Sequence, residues 1–202
     1  SMSKPITGVA LMILYEEGKF FLNDPVARYI PELANLEVAI STADGNTKVA
    51  SDGTNSRTIG AGDASKAGKT RKPKRQPTIR DLMRHTAGFT YGFFGNTEVD
   101  KMYREKEVMG QKDLKAFVTE LGQVPLQYEP GTRWHYSVSV DVQGRVVEAV
   151  SGMSFGEFLK KRLFTPLGMK DTGFIVPKDK LDRFAQIYSP EGTSEGSDLF
   201  LR

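Results

Sequence analysis

The sequence predicts an α/β protein of the α+β type, in which helices predominate and strands are few. Residues Pro5 to Glu17 form a long apolar pattern, and Gly18 is placed to end a helix. Two segments, Thr78 to Asp81 and Ser154 to Glu157, resemble capping boxes, which mark the starts of helices. Strand patterns are short, and two of them flank the turn dipeptide Asp44-Gly45.

The elements can be assigned in chain order. The first helix is apolar on nearly every face, which is typical of a helix that is buried on all sides. Asp24-Pro25 predicts a short helix through Tyr29, because aspartate caps helices and proline suits the first turn. The other expected elements are helices over residues 78–85, 98–108, 112–121, 139–150 (capped by Ser139) and 154–163, and strands over residues 36–42, 47–51, 173–176 and 184–188.

Residues 51–77 are rich in glycine, serine, threonine, lysine and arginine, and large apolar side chains are few. We interpret this segment as a long, basic, mobile surface loop. Five cations fall within seven residues of it: Lys69, Arg71, Lys72, Lys74 and Arg75. Such a run can bind nucleic acid or an acidic partner, but no aromatic side chain lies between the cations to stack on bases. A solvated loop is therefore the favoured interpretation.

The composition excludes several classes of function. The 202 residues suffice for one or two domains, and a formal net charge of +3 indicates no nucleic-acid or membrane partner. The absence of cysteine excludes a disulfide framework, a thiolate metal site and a cysteine nucleophile. The two histidines, His85 and His135, are too few for a typical multi-histidine metal site, and no apolar run is long enough to span a membrane. The compartment stays open between cytoplasmic and periplasmic or secreted.

The candidate nucleophile is Ser1, within Ser1-Met2-Ser3-Lys4. Residues three apart lie on one face of a helix, so Lys4 is expected beside the Ser1 hydroxyl. A serine becomes a strong nucleophile when a neighbouring base takes its proton, and the free N–H groups of a helix start can stabilise an oxyanion. Alternatively, Ser1 could be an N-terminal nucleophile that uses its own α-amine. The helix that follows at once favours the Ser-x-x-Lys interpretation.

The second candidate motif is Tyr136-Ser137-Val138, which follows the turn from Glu129 to Trp134. A phenol ionises near pH 10 in water, and a nearby ammonium group favours its phenolate form. Lys4 and Tyr136 are therefore candidates for a proton-transfer pair that serves Ser1. A tyrosine taken by itself is more often a packed aromatic residue whose hydroxyl is hydrogen-bonded, but the surrounding sequence from Pro130 to Ser137 favours the catalytic interpretation.

A series of short stretches extends beyond these two motifs: Ser1 to Thr7, Glu17-Gly18-Lys19, Leu22 to Val26, Thr78 to Leu82, His85 to Gly88, Glu129-Pro130-Gly131, Tyr136-Ser137, Phe164 to Met169 and Asp171-Thr172. In this order, the stretches resemble the serine β-lactamase and penicillin-binding-protein-like superfamily. The likeness is greatest to class C β-lactamases and family VIII carboxylesterases. It covers most of residues 1–40 and 78–176, whereas the basic segment has no diagnostic match.

The resemblance implies a fold and three catalytic roles. The fold would be a serine β-lactamase-like one, with a helical region and an antiparallel sheet flanked by helices. Ser1 would be acylated, and Lys4 would hold and exchange its proton. Tyr136 would act with Lys4 as general base and then as acid to the leaving group. The resemblance implies no cofactor and no metal.

Two departures from the family pattern stand out. The second motif of the family is usually Tyr-x-Asn, whereas here the third position is Val138, which has no amide to bind the acylamide of a β-lactam. This favours an esterase over a lactamase. The third motif of the family does not occur before Arg202. We therefore expect residues 1–202 to be a mostly helical, partial hydrolase domain that lacks N- and C-terminal sheet strands, which missing segments or a second chain would complete.

The most favoured function is a serine carboxylesterase on short-chain esters that works through an acyl-enzyme. A β-lactamase or D-alanyl carboxypeptidase is the enzymatic alternative, and a non-catalytic binding or scaffold protein on the same fold is the alternative of another class. Small-molecule esters or lactams are the expected partners. Phe93, Trp134, His135 and Val138 are candidate substrate-binding residues, although Phe93 and Trp134 could equally be core residues. His85 is expected to be a structural loop residue.

Overall fold

A computed structural model describes residues 2–40 and 70–185; Ser1, residues 41–69 and residues 186–202 lie outside the described part. Helices predominate in it, as the sequence predicts. The α-helices are α1 (Ser3–Glu16), α2 (Ile79–Met83), α3 (Glu98–Glu105), α4 (Leu114–Leu121), α5 (Ser139–Ser151) and α6 (Phe155–Leu159). Two short strands, β1 (Val38–Ala39) and β2 (Thr70–Arg71), pair in antiparallel fashion, with Val38 opposite Arg71.

Helix α5 lies at the centre of the helical region, in contact with α1, α2, α4 and α6. Val142, Val146 and Val147 of this helix are fully buried. Valines at this spacing form one apolar face of a helix, and that face is surrounded by side chains of the neighbouring helices. The N-terminal end of α5, which directly follows Tyr136, is therefore held firmly against the N-terminal helix.

Helix α1 is buried on one face and not on all sides. Thr7, Ala10, Leu11 and Leu14 are buried, whereas Val9 is 45% exposed. Within the described part of the chain the other side of α1 is not covered, and cover on every side by missing segments or a second chain stays a prediction. The apolar pattern extends around the helix, but only the side that faces α5 and its neighbours has a packing partner there.

Local capping residues start the helices largely as predicted. Thr78 and Asp81 form a capping box at α2, and Ser154 and Glu157 form one at α6. A third capping box, which the sequence analysis did not identify, joins Thr97 to Asp100 at α3. Helix α6 continues as a π-helical turn over Lys160–Phe164, close to the predicted end.

Two predicted caps differ in the structure. Residues Val26–Arg28 form a 3₁₀ turn rather than a helix opened by Asp24, because the Asp24 carboxylate instead accepts hydrogen bonds from the Tyr29 hydroxyl and the Phe21 N–H. Ser139 lies inside α5 and does not cap it, because its hydroxyl pairs with that of Ser137 at 2.8 Å.

The strand predictions are only partly confirmed. A strand occurs at Val38–Ala39, within the predicted range 36–42, but residues 173–176 form bends and no strand. The predicted strand over residues 47–51 and its Asp44-Gly45 turn lie outside the described residues, as do residues 186–188 of the last predicted strand. Strand β2 was not predicted, because its residues belong to the segment interpreted as a loop.

The described end of the basic segment is bound to the fold. Arg71 forms an ion pair with Glu129 at 2.5 Å, and Arg75 forms one with Asp81 at 2.5 Å. Residues 70–77 are therefore not the loose end of a surface loop, whereas residues 51–69, including Lys69, are not described. None of the helices within residues 2–40 and 70–185 has the length and apolarity needed to cross a bilayer.

Candidate active site

Lys4 and Tyr136, which are far apart in the sequence, meet in the structure. Lys4 lies in the first turn of α1, and Tyr136 lies just before α5. Because these two helices pack together, the Lys4 Nζ atom is 5.0 Å from the centroid of the Tyr136 ring. An ammonium group at this distance is attracted to the ring and favours negative charge on the phenol. Ser1, the predicted nucleophile, lies outside the described residues.

A buried carboxylate fixes the loop that follows α2. Asp81 accepts hydrogen bonds from Arg75 (2.5 and 3.0 Å), from the Thr78 N–H (2.9 Å) and from the Thr86 hydroxyl (2.9 Å). Burial by itself would raise the pKa of Asp81, but the hydrogen bonds from Arg75 and Thr78 outweigh it and lower the pKa to about 2. Asp81 is therefore ionised at neutral pH and holds Thr86, the neighbour of His85, in place.

The loop from His85 to Gly88 is joined to the chain before Tyr136 by backbone hydrogen bonds. The Gly131 N–H donates to the Thr86 carbonyl (2.7 Å), and the His135 N–H donates to the His85 carbonyl (2.8 Å). Gly88 has a φ of +94°, and a Cβ there would lie 2.1 Å from the Tyr128 carbonyl oxygen. Only glycine fits this close approach. The Gly88 position therefore lets the two segments approach and brings His85 beside Tyr136.

His85 lies against the catalytic candidate Tyr136. The two ring centroids are 5.1 Å apart, and the His85 Nδ1 atom accepts a hydrogen bond from the Ser137 N–H at 3.3 Å. Burial, and to a smaller extent the Lys4 charge, lower the pKa of His85. The imidazole is therefore neutral at pH 7, with its proton on Nε2. The sequence predicts a structural loop residue at His85, because its adjacency to Tyr136 cannot be read from a local pattern.

The structure places His135 and Val138 away from the exposed part of the site. The His135 ring is half-buried, 5.0 Å from the Tyr128 ring centroid, with Nε2 3.4 Å from the Thr90 hydroxyl. Val138 is fully buried in the core at the start of α5. A role for either residue in binding substrate stays a prediction.

Three aromatic side chains lie next to Tyr136, and a fourth, Phe93, packs against two of them. We call the four the aromatic rim: Tyr91, Phe93, Phe94 and Trp134. Trp134 is stacked near Tyr136, with centroids 6.4 Å apart and planes 19° apart, and Phe94 lies 6.1 Å away. Phe93 contacts Phe94 at 4.4 Å. Phe93, Phe94 and Trp134 are each more than half exposed. The rim therefore offers an apolar surface next to the Lys4–Tyr136 pair.

Helix α3 holds the loop that carries most of the rim. The Thr90 hydroxyl donates to the Asp100 carboxylate at 2.7 Å, and Arg104 donates to the carbonyls of Gly92 and Gly95. A Cβ on Gly92 would lie 2.5 Å from the Tyr103 Cβ. These contacts fix the backbone on both sides of Tyr91 and Phe93.

Tyr91 and Asp141 belong to the site, although the sequence analysis named neither. The rings of Tyr91 and Tyr136 are 5.0 Å apart, and their hydroxyls are hydrogen-bonded. Asp141 lies in the first turn of α5, where its carboxylate interacts electrostatically with Tyr91 and Lys4. The sequence feature that could have identified Asp141 is its position five residues after Tyr136, in the first turn of the helix that follows. Within residues 2–40 and 70–185, no group of three or more histidine or acidic side chains is arranged to hold a metal ion.

The chain is similar to several known proteins. Protein Rv1367c of Mycobacterium tuberculosis is 31% identical over 188 residues, which cover 93% of this chain and 41% of that protein. Lovastatin esterase of Penicillium rubens is 29% identical over 174 residues, which cover 86% of this chain and 38% of that enzyme. The solved structure of EstCE1, a hydrolase with promiscuous acyltransferase activity, has a TM-score of 0.65 at 26% identity and covers 89% of this chain and 40% of that one.

The chain therefore spans about two fifths of the length of these proteins. The expected fold is confirmed by EstCE1, because the helical region and small antiparallel sheet superpose on part of that structure. The Beta-lactamase family model matches residues 1–198, which include the Ser1, Lys4 and Tyr136 motifs. As the resemblance of its motifs implied, this chain belongs to the Beta-lactamase family.

Proposed function

We propose that the protein is a serine hydrolase that works through an acyl-enzyme, and that it is a carboxylesterase on short-chain esters. The observation that carries the proposal is the Lys4 ammonium group, 5.0 Å from the centroid of the Tyr136 ring. This pair is assembled at the start of two packed helices, and Ser1 is three residues before Lys4. The similarity to lovastatin esterase and EstCE1 supports an ester as the substrate.

The proposed reaction has two proton-balanced halves. The Ser1 oxygen attacks the ester carbonyl while the Tyr136 phenolate takes the Ser1 proton, and the Lys4 ammonium stabilises the phenolate by its charge. As the tetrahedral intermediate collapses, the C–O bond to the alcohol breaks and Tyr136 returns the proton to that alcohol. In the second half, Tyr136 takes a proton from water, which attacks the acylated Ser1. Release of the acid restores the Ser1 hydroxyl with the proton that Tyr136 held.

The aromatic rim supports an apolar substrate. Phe93 and Trp134 expose 59% and 57% of their surface beside Tyr136, so they are available to cover the acyl or alcohol part of an ester. Burial of such a group against aromatic rings is favourable by about 25 cal/mol for each Å² removed from water. In the proposed complex, the rim binds the apolar part of the ester and the Lys4–Tyr136 pair acts at its carbonyl.

Val138 supports an ester rather than a β-lactam. A lactam side chain carries an amide, and an amide-bearing residue at this position could bind it, whereas valine has no polar group. In the structure, the Val138 side chain is fully buried in the core. It therefore offers no hydrogen bond to a substrate, and its place in a substrate pocket stays part of the proposal.

The test is covalent labelling followed by substrate comparison in the natural protein. A fluorophosphonate probe should modify Ser1, located by peptide mass spectrometry, and Ser1→Ala should abolish the label and lower kcat by about 10⁴–10⁶-fold. Ser3→Ala, which changes the serine two residues further along the chain, is the matched control and should label normally. The kcat/KM for p-nitrophenyl butyrate should exceed that for the cephalosporin nitrocefin by at least about 10²-fold.

Three results would contradict the proposal in different ways. Normal turnover by Ser1→Ala would exclude Ser1 as nucleophile. Equal kcat/KM values for the ester and the cephalosporin would favour the lactamase alternative. A folded natural protein that neither reacts with the probe nor turns over either substrate would favour a binding or scaffold protein.

A further inference from the structure

The Tyr136 hydroxyl is hydrogen-bonded to a second phenol that has no assigned role. Tyr91 is half-buried in the aromatic rim, and its ring centroid is 5.0 Å from that of Tyr136. Burial, and then the hydrogen bond to Tyr136, raise the pKa of Tyr91. A phenolate has no proton to donate and can only accept. When Tyr136 is ionised, Tyr91 is therefore the donor, and the Tyr136 oxygen is the acceptor.

Asp141, in the first turn of α5, interacts electrostatically with both Tyr91 and Lys4. Its negative charge favours the neutral, protonated form of Tyr91, which is the form that can donate. Burial raises the pKa of Asp141, and its own backbone N–H and the Lys4 ammonium oppose that effect. One carboxylate thus interacts with two of the groups that contact Tyr136.

Tyr136 and the groups that act on it or on its neighbours come from separate parts of the chain. Lys4 belongs to α1, His85 to the loop after α2, Tyr91 to the loop before α3, and Asp141 to α5. His85 is neutral at pH 7, because burial and Lys4 lower its pKa. It therefore adds no positive charge that could replace the effect of Lys4. A phenolate at Tyr136 would be stabilised by the charge on Lys4 and by a hydrogen bond from Tyr91.

We propose that Tyr91 and Asp141 are positioning residues: Tyr91 donates a hydrogen bond to the Tyr136 oxygen and so holds it ready to accept a proton, and the Asp141 carboxylate favours the neutral, donating form of Tyr91. This inference rests on the proposed function, because Tyr136 is taken as the general base. Neither residue exchanges a proton with the substrate. Together they favour a phenolate at Tyr136 and a neutral phenol at Tyr91, so the two tyrosines have different roles although their hydroxyls are in contact.

The proposal makes a spectroscopic prediction that needs no turnover. In the natural protein labelled with [ζ-¹³C]tyrosine, each ring signal shifts when its phenol ionises, and substitution of Tyr136 by phenylalanine identifies the Tyr136 signal. In Tyr91→Phe, the midpoint of the Tyr136 titration should rise by about one pH unit, because a hydrogen bond to the charged form is lost. In Asp141→Asn, the Tyr91 signal should titrate at lower pH, because a neighbouring negative charge is gone.

The same change should appear in the rate. The acidic limb of the kcat/KM profile for p-nitrophenyl butyrate should move to higher pH by the same amount in Tyr91→Phe, with about tenfold lower kcat/KM below the limb and recovery above it. Tyr128→Phe is the matched control, because Tyr128 is half-buried near the site and its hydroxyl accepts from Gln127 at 3.1 Å. Tyr128→Phe should shift neither the midpoint of the Tyr136 titration nor the acidic limb of the kcat/KM profile.

Failure of this inference differs from failure of the proposed function. If the Tyr136 titration stays in place in folded Tyr91→Phe, or moves equally in Tyr128→Phe, the proposed hydrogen bond has no effect and the inference is overturned. If Tyr91→Phe does not fold, an unchanged Tyr91 titration in Asp141→Asn overturns it instead. If Tyr91→Phe shifts the midpoint of the Tyr136 titration but the natural protein neither turns over the ester nor reacts with the probe, the proposed function is contradicted and the hydrogen-bond arrangement is not.

Discussion

The Tyr136 side chain receives contacts that differ in chemical character around its ring. The Lys4 ammonium lies over one face of the ring, the neutral His85 ring packs against it, and Trp134 stacks near it. Tyr91 contacts the hydroxyl end. The nearby cation favours the phenolate form of Tyr136, whereas displacement of water by the aromatic rings favours the neutral phenol, so the charge on Lys4 offsets part of the cost of burying a phenolate.

At this scale we expect Lys4 and Tyr136 to act as one unit. Lys4→Ala and Tyr136→Phe should each lower kcat for p-nitrophenyl butyrate by about 10³–10⁴-fold, and the double variant should be little worse, because each change disables the same proton transfer. Steady-state kinetics of the three variants in the natural protein, with circular dichroism to confirm folding, measure this.

Lys72→Ala, which removes an exposed lysine outside the site, is the control for loss of a positive charge. Additive losses in the double variant would mean that Lys4 and Tyr136 contribute independently. That result would separate Lys4 from the base and leave it a role only in binding or charge balance.

Asp81 connects three elements that position the site. It caps α2 together with Thr78, pairs with Arg75 next to β2, and binds Thr86 in the loop that presents His85. The Asp81 side chain is only 5% exposed, so these hydrogen bonds are shielded from water. A buried carboxylate that loses its partners is costly, and the network therefore contributes to folding as well as to the placement of His85.

The folded protein should lose stability in acid through Asp81. Its pKa is about 2 when folded, below the value of 3.8 for an exposed aspartate, so the contribution is complete above about pH 4 and is lost as the pH falls towards 2. It amounts to about 2 kcal/mol. At pH 7, urea unfolding of Asp81→Asn should give a free energy of unfolding that is lower by at least this amount. The free energy of unfolding of this variant should also vary less between pH 4 and pH 2 than that of the unchanged protein.

Asp171→Asn is the matched control for this measurement. The pKa of Asp171 is also lowered to about 2, through hydrogen bonds from Lys180 and Arg183, but its side chain is 60% exposed. Water screens such surface pairs, so the change in urea midpoint should be small. Equal loss in the two variants would show that burial of Asp81 does not strengthen its interactions.

On the scale of the whole molecule, the described residues expose several large apolar side chains. Phe174 and Ile175 are 69% and 85% exposed in the segment after α6, Phe21 is 69% exposed after α1, and Val9 of α1 is 45% exposed. Soluble monomers rarely expose large contiguous apolar patches. Side chains of this kind favour association with other apolar surfaces, including those of a second copy.

The 202-residue chain by itself should therefore bind the dye ANS while folded and self-associate at micromolar concentration. Sedimentation equilibrium and ANS fluorescence measure this, and replacement of Phe174 and Ile175 together by serine should weaken both. Lys178→Ser, a polar change close by, should alter neither. Exposed apolar surface leads to association at micromolar to millimolar concentrations. A chain that stays monomeric at about 100 µM and gives no ANS fluorescence would contradict the expectation.

The sequence by itself determined the features that depend on neighbouring residues. The capping boxes at Thr78 and Ser154 and the helix ending at Gly18 were predicted, because a cap is completed within three or four residues of its start. The family likeness was also predicted, since short motifs in a fixed order need no knowledge of contacts. The absence of an amide at Val138 is a sequence fact too, although its complete burial is not.

Only the tertiary structure decided which distant residues meet. Strand β2 forms because Thr70 and Arg71 find partners at Glu37 and Glu129, which no local pattern shows. The expected strand over residues 173–176 is absent, and within the described residues no partner strand lies beside it. Tyr91 and Asp141 join Lys4 and Tyr136 because α1 packs on α5, while α3 fixes the loop before it. Such contacts depend on packing over the whole helical region, and residue spacing in the sequence does not specify them.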